Sequence, residues 1–156
     1  MEYIDMDSFI DWWFVYELTG NGEPIHTKSS YMHKDRSNKL FAGPVWDFDY
    51  GTFRPDAYYR SKNALYYPRL FQNSTFVTRV KERWALLKPE FDKIAAFIEN
   101  EGERIKHSEK MNHIMWPITH QPVNGDESMT FEEAVQRMKT AYETKLKWMD
   151  VEIRNM

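Results

Sequence analysis

The chain has 156 residues, of which 42% are hydrophobic and 16% aromatic. This length and composition are typical of one globular domain with its own core and exclude a disordered chain. The net charge is −3 without a basic tail, which argues against a nucleic-acid partner. The chain has no cysteine, which excludes disulfides and thiolate metal sites, and no apolar run long enough to cross a membrane.

The first part of the chain predicts a buried helix followed by a β-hairpin. Asp7 and Ser8 are typical of a helix start, and the apolar residues after them lie on more than one side of the helix. Glycine-type capping at 19–22 is expected to end this helix. Two strands are expected, at 29–34 and at 39–45, with a short turn between them.

Helices are predicted for most of the second half. Asn73 or Ser74 is expected to cap a helix that runs through Leu87, and Pro89 is expected to begin the next helix. Gly102 lies inside that next helix and is expected to weaken it by about 1 kcal/mol relative to alanine.

The last helix has a clear start signal. Thr130 and Glu133 have the spacing of a capping box, and the helix is predicted to run to about Ile153. A loop that contains proline, asparagine and glycine precedes it at 119–128. The elements together predict an α+β fold, which is a mainly helical lobe with one β-hairpin, in a single domain over residues 1–156.

An acidic stretch follows the hairpin, with the sequence Gly43-Pro44-Val45-Trp46-Asp47-Phe48-Asp49-Tyr50-Gly51. In an extended backbone alternate side chains share a face, so Asp47 and Asp49 are expected to point the same way. A hard divalent cation such as Mg²⁺ would relieve the repulsion between them, since it often takes only one or two carboxylates plus substrate phosphates. A loop whose aspartates cap the following turn explains the same pattern. The spacing alone leaves both interpretations open.

Several segments along the chain together carry a family resemblance. They are Asn21-Gly22-Glu23, Lys28-Ser29-Ser30-Tyr31-Met32-His33-Lys34-Asp35-Arg36, Lys39-Leu40, Gly43-Pro44-Val45-Trp46-Asp47-Phe48-Asp49, Tyr66-Tyr67-Pro68-Arg69-Leu70-Phe71, Phe76, Arg83-Trp84 and Leu146-Lys147-Trp148-Met149-Asp150. With these segments the chain resembles the spore coat protein H (CotH) family of atypical protein kinases. The resemblance covers nearly the whole chain, and its most specific part is the hairpin followed by the Trp-Asp-x-Asp stretch.

The resemblance implies a set of site residues and cofactors. It places the metal-binding aspartate at Asp47, with Asp49 as the reserve, and the catalytic carboxylate at Glu23. It also places Ser29 and Trp46 at the cofactor. The implied cofactors are ATP and Mg²⁺ or Mn²⁺, and the implied acceptor is a protein hydroxyl. This order of parts agrees with the needs of phosphoryl transfer, in which one carboxylate accepts the hydroxyl proton and another holds the metal against the phosphates.

Two departures from the family pattern bear on activity. Glu23 stands where these kinases carry aspartate, which is one methylene shorter. The lobe that supplies a cation to the nucleotide phosphates is expected upstream of Met1, so this chain is interpreted as the carboxy-terminal part of a kinase domain. That lobe is then a partner, and the 156-residue chain alone is expected to be inactive. The resemblance also implies a cell-surface or other extracytoplasmic setting.

Two other functional classes remain open. One is a non-catalytic interaction module that keeps the kinase-like fold, and nucleotide binding by the full-length protein would separate it from a kinase. The other is a glycoside hydrolase that uses Glu23 and Asp47 as its acid pair. A separation of roughly 5 to 9.5 Å between the carboxyl groups across an open groove would favour the hydrolase.

Overall fold

The computed structural model describes residues 2–26, 29–49, 51–54, 56, 58–117 and 129–156. The described part of the chain is mainly helical with one antiparallel two-stranded hairpin, which confirms the predicted α+β class. The elements in chain order are α1 Met6–Thr19, α2 Glu23–His26, β1 Met32–His33, β2 Phe41–Ala42, α3 Tyr67–Leu70, α4 Ser74–Phe91, α5 Ile94–Met115 and α6 Phe131–Asn155. None of the described helices is both long and apolar enough to cross a membrane. The loop expected at 119–128 lies outside the described residues.

Helix α1 lies in the centre of the fold, packed against α4, α6 and β2. Its residues Phe9, Ile10, Trp13 and Phe14 are almost completely buried, because these elements cover more than one side of the helix. The predicted start at Asp7 and Ser8 was wrong by two residues. The Asp5 carboxylate accepts a hydrogen bond from the backbone N–H of Ser8 at 2.9 Å and caps the helix instead.

The carboxylates of Asp7 and Asp11 tie α1 to α4. Both oxygens of Asp7 accept hydrogen bonds from the Arg79 guanidinium at 2.7 Å, and both oxygens of Asp11 accept from Arg83 at 2.7 and 2.8 Å. The hydrogen bond from Arg79 holds the pKa of Asp7 below its usual value. These two fork-shaped contacts fix the direction of α4 relative to α1.

The hairpin strands are shorter than the sequence predicted. Among the described residues, the strand pairs are Met32 with Ala42 and His33 with Phe41, so the expectation of strands at 29–34 and 39–45 was wrong in extent. Strand β2 ends at Ala42 because the following residue, Gly43, has a φ of 118°, which is far from an extended conformation. The acidic stretch therefore begins outside the sheet.

The boundary between the two middle helices also differs from the prediction. Asn73 caps α4 as expected, since its side chain accepts a hydrogen bond from the Phe76 N–H at 3.2 Å. Pro89 does not begin a helix but lies in the last turn of α4. Its missing N–H leaves the carbonyl of Ala85 without a helical donor, and Ala85 is exposed, so water can satisfy that carbonyl.

The last two helices, α5 and α6, pack side by side. The predicted capping box of α6 is confirmed, because Thr130 Oγ1 accepts from the Glu133 N–H and the Glu133 carboxylate accepts from the Thr130 N–H. Gly102 lies inside α5 as predicted and is buried against Val135 of α6. A Cβ atom at position 102 would lie 2.9 Å from a Val135 methyl carbon, so the absent side chain allows the close packing of the two helices.

Candidate functional site

The candidate site is organised by residues 16–21, which we call the α1 terminus. Gly20 ends α1 with a φ of 64°, a left-handed conformation that favours glycine, and its N–H donates to the carbonyl of Glu17 at 3.1 Å. The Asn21 N–H donates to the carbonyl of Tyr16 at 3.0 Å. The predicted glycine-type cap is thus confirmed, and it turns the chain sharply into the segment that carries Glu23.

Asn21 joins the two segments that carry the predicted catalytic and metal-binding residues. Its side chain is completely buried. The side-chain amide donates to the backbone carbonyl of Asp47 at 2.8 Å, and the side-chain oxygen accepts from the backbone N–H of Glu23 at 2.7 Å. Glu23 is half-buried and is the first residue of the four-residue helix α2. Although Glu23 and Asp47 lie 24 positions apart, one side chain therefore fixes the backbone of both.

The side chain of Asp47 is held by Ser29. The Ser29 hydroxyl donates to Asp47 Oδ2 at 3.0 Å, and Ser29 is buried. Asp47 has a φ of 68°, in the left-handed region that aspartate tolerates better than most residues. The expectation that an extended strand places Asp47 and Asp49 on one face was therefore wrong in its premise. Asp49 is the more exposed of the two carboxylates.

Tyr16 fixes the residue next to Asp47. Its hydroxyl donates to the carbonyl of Trp46 at 2.8 Å and accepts from the Trp46 N–H at 3.0 Å, so one buried phenol satisfies both backbone groups. Burial raises the pKa of Tyr16 above its usual value, and the nearby carboxylates of Asp47 and Glu23 add to this shift. The Trp46 ring is 58% exposed and meets Tyr31 edge to face.

Two further backbone segments attach to the α1 terminus. The Phe53 N–H, beyond the acidic stretch, donates to the carbonyl of Thr19 at 2.6 Å. The buried carboxylate of Glu17 accepts from the backbone N–H groups of Ser61 and Lys62, each at 3.1 Å. Burial raises the pKa of Glu17, and these backbone hydrogen bonds oppose the shift. Four separate segments of the chain thus meet at one helix end.

The residues that organise the site were not assigned a site role from the sequence. Tyr16 and Glu17 lie in a stretch that the sequence predicts only as a buried helix. Asn21 was assigned only to a helix cap and to the family resemblance. A signal was available for Glu17, because it is a carboxylate between apolar residues in the last turn of a helix that is apolar on more than one side. Such a group needs hydrogen-bond donors from elsewhere in the fold.

The carboxylate of Asp47 is compatible with a Mg²⁺ ion that binds together with a nucleotide. The described residues contain no group of three or more histidine, cysteine or acidic side chains that could hold a metal without a ligand. Mg²⁺ bound with a nucleotide needs only one or two carboxylates, because phosphate oxygens and water complete its shell. Asp47, with its Oδ2 oriented by Ser29, provides one such carboxylate.

A comparison with protein families covers most of the chain. The family model described as CotH kinase protein matches residues 1–149. The chain belongs to the CotH family. The matched region includes all five predicted site residues, namely Glu23, Ser29, Trp46, Asp47 and Asp49. Neither a curated protein nor a solved structure matches the chain. Membership in CotH gives the chain a kinase-related function in the broad sense.

Proposed function

We propose that this CotH chain supplies the catalytic base and the metal-binding carboxylate of a phosphotransferase that moves a phosphoryl group from ATP to a protein hydroxyl. The observation that carries the proposal is the bridge made by Asn21, which fixes the backbone of Glu23 and that of Asp47 with hydrogen bonds of 2.7 and 2.8 Å. Phosphoryl transfer depends mainly on positioning, so a rigid link between the two carboxylate segments is the feature that such a reaction needs.

Glu23 is the proposed base. Its carboxylate would accept the proton of the acceptor hydroxyl as that oxygen bonds to the γ-phosphorus of ATP. The bond from this phosphorus to the β,γ-bridging oxygen would break and release ADP, and the proton would leave to solvent afterwards. Glu23 is half-buried at the start of α2, so it remains partly accessible to solvent. The extra methylene relative to aspartate lengthens the side chain by about 1 Å or more, and the tight turn from Gly20 to Asn21 is proposed to offset this length.

Asp47 is the proposed metal ligand, with Asp49 as a second carboxylate. A bound Mg²⁺ would neutralise charge on the phosphate oxygens. The Ser29 hydroxyl holds Asp47 Oδ2 in place, which is the positioning role proposed for Ser29 in cofactor binding. Trp46 is proposed to offer its exposed ring to the nucleotide, on a backbone that Tyr16 fixes on both sides.

A second lobe that covers the nucleotide remains part of the proposal. Exposed apolar side chains surround the candidate site, and Ile25 is 57% exposed and Trp46 58%. Tyr31 and Val45, near Trp46, are also exposed. Such a cluster is typical of a surface that another protein segment covers. We therefore expect robust phosphotransfer only when that lobe is present.

The experiment measures transfer from γ-labelled ATP with Mg²⁺ or Mn²⁺, in the chain alone and in the longest natural protein that contains it. Asp47→Asn and Glu23→Gln should each lower turnover by about 10²-fold or more. The matched control Glu90→Gln removes an exposed charge on α4 and should leave turnover unchanged. Turnover equal to the parent in both site variants would overturn the proposal. Nucleotide binding without turnover would favour the interaction module instead.

Glu23→Asp sharpens the assignment of the base. If Glu23 is correctly placed, shortening the side chain should slow the enzyme, and Glu23→Gln should nearly stop it. A rise in turnover for Glu23→Asp, with little change for Glu23→Gln, would indicate a degenerate site. We expect the first result because the other residues of the motif are intact.

A further inference from the structure

A cation lies between the two loops that carry the site carboxylates. A Cβ atom added at Gly22 would lie 2.7 Å from Arg60 Nη1, and one added at Gly51 would lie 3.9 Å from the same atom. Gly22 precedes the proposed base Glu23, and Gly51 follows Asp49 by two residues. The guanidinium of Arg60 therefore reaches both loops at once.

Gly22 lies close to the end of the Arg60 side chain. Among the described glycines, Gly20, Gly43 and Gly51 have positive φ angles, whereas Gly22 does not. Gly22 is buried, and a Cβ atom there would approach Arg60 Nη1 too closely. Because a guanidinium is the end of a flexible side chain, a side chain at position 22 would shift it from its place between the two loops.

Arg60 makes no ion pair with an acidic side chain among the described residues. No ion pair or hydrogen bond joins its guanidinium to another side chain within the described ranges, although both neighbouring loops carry carboxylates. The backbone beside it is fixed, because Glu17 accepts hydrogen bonds from the N–H groups of Ser61 and Lys62. A guanidinium with a fixed backbone and free donors is suited to a planar, two-point contact with phosphate.

A second cation, Lys145, lies beside the segment that carries Arg60. The side chain of Lys145 in α6 is almost completely buried, and its Nζ lies 4.3 Å from the ring centre of Tyr58. Burial lowers the pKa of Lys145 to about 8, the Arg60 charge acts in the same direction, and the carboxylates of Glu17 and Asp56 oppose it. Because Tyr58 lies two residues before Arg60, Lys145 packs beside the segment that carries Arg60.

We propose that Arg60 binds a phosphate group at this site, with its guanidinium placed between the loops at Gly22 and Gly51. The inference rests on the proposed function, since it names the residue that holds the anionic part of the ligand. The phosphate could belong to the donor nucleotide or to a phosphorylated product, and both present the same oxygens to the guanidinium.

The test compares ligand binding by the parent protein and by Arg60→Gln, with Arg104→Gln as the matched control on the surface of α5. The ligands are MgATP, magnesium pyrophosphate, a phosphoserine peptide and adenosine, measured by calorimetry in the longest natural protein that contains the chain. Arg60→Gln should weaken binding of the phosphate ligand by about 10- to 100-fold and leave adenosine unchanged. Gly22→Ala should weaken binding of the same ligand, and Arg60→Lys should retain part of the parent's affinity.

The ligands separate the two sources of phosphate. If Arg60→Gln weakens binding of MgATP and pyrophosphate but not of the phosphopeptide, Arg60 contacts the phosphate of the donor. If it weakens binding of the phosphopeptide alone, Arg60 contacts the phosphate of the product. Binding in Arg60→Gln equal to that in Arg104→Gln for every phosphate ligand overturns the inference, as does a parent protein that binds none of them. Arg60-dependent pyrophosphate binding without phosphotransfer would reject the proposed function alone. Phosphotransfer that needs Asp47, with binding unaffected in Arg60→Gln, would reject the inference alone.

Discussion

The loops at the α1 terminus and the α5–α6 pair are held together in opposite ways. At the α1 terminus, side chains reach backbone groups far along the chain, as Asn21 does to Asp47 and Glu17 does to Ser61. In the α5–α6 pair most polar contacts join residues three or four positions apart, such as Arg104 with Glu101. One region depends on a few buried, long-range hydrogen bonds. In the other, the packing of Gly102 against Val135 joins the helices, and most polar contacts are short-range and lie at the surface.

This difference determines how each region should respond to substitution. A buried hydrogen bond whose partner is removed leaves an unsatisfied polar group, which costs about 1–3 kcal/mol. An exposed ion pair has water as an alternative partner and contributes little. We therefore expect single substitutions to be severe at the α1 terminus and mild on the helical pair.

Asn21→Ala should have the largest effect. It removes the donor to Asp47 and the acceptor for Glu23 together, so the free energy of unfolding should fall by about 2–4 kcal/mol. Turnover should fall by about 10²-fold, because the two carboxylate segments lose their common link. Urea unfolding and the phosphotransfer assay measure the two effects. Asn38→Ala is the control, since Asn38 makes one exposed contact in the hairpin turn. Equal losses in the two variants would contradict the comparison.

Glu17→Ala should come next. The N–H groups of Ser61 and Lys62 would lose their acceptor, and the stability should fall by about 2–3 kcal/mol. Glu101→Ala removes an exposed carboxylate that pairs with Arg104, and its unfolding midpoint should match that of the parent. Thermal unfolding of both variants at pH 7 makes the comparison. A larger loss for Glu101→Ala than for Glu17→Ala would show that burial does not decide the effect.

The same contrast explains which features the sequence could predict. The capping box at Thr130 and the cap at Asn73 were predicted because their partners lie three residues away. The glycine cap of α1 was predicted for the same reason. The start of α1 was misplaced because several acidic and polar residues near it could cap a helix. Asp5 makes the cap, and Asp7 pairs with Arg79 instead.

The geometry of the candidate site could not be predicted in this way. The residue types Glu23, Ser29 and Asp47 were available from the family resemblance, but the link through Asn21 joins positions 26 residues apart. The alternation argument for Asp47 and Asp49 assumed an extended backbone, whereas Asp47 has a left-handed one. Such a conformation is selected by tertiary contacts, including the hydrogen bond from Ser29, and local propensity does not encode it.

Lys145 predicts a pH dependence of stability that originates beside the α1 terminus. Its pKa is lowered to about 8 in the folded chain from an ordinary value of 10.5, mainly by burial. Between these values the unfolded chain binds more protons at Lys145, so the free energy of unfolding should rise with pH, by at most about 1.4 kcal/mol per unit. Above pH 10, tyrosines such as Tyr59, whose pKa is raised to about 12, act in the opposite direction.

Urea unfolding between pH 8 and 9.5 tests this slope. Lys145→Met should flatten it, whereas Lys147→Met, at an exposed position of the same helix, should leave it unchanged. Stability that falls with pH in the parent over this range would contradict the assignment. The same slope in Lys145→Met and in the parent would place its origin in another group.

Gly102→Ala should have the smallest effect on the free energy of unfolding, and the sign of that effect is informative. Alanine in an exposed helix interior stabilises by about 1 kcal/mol relative to glycine. At position 102, however, the new Cβ would lie 2.9 Å from one Val135 methyl carbon and 3.1 Å from the other, so α5 and α6 would have to move apart. We expect these effects nearly to cancel, with a net destabilisation below about 1 kcal/mol in urea unfolding.

The double variant Gly102→Ala/Val135→Ala separates the two contributions. Removing the valine methyls removes the clash, so the effect of Gly102→Ala should become stabilising in the Val135→Ala background. The same sign in both backgrounds would show that helix propensity alone decides the outcome at this position. Phosphotransfer should be unchanged in all three variants, because this contact lies in the α5–α6 pair and not among the loops that Asn21 and Glu17 hold.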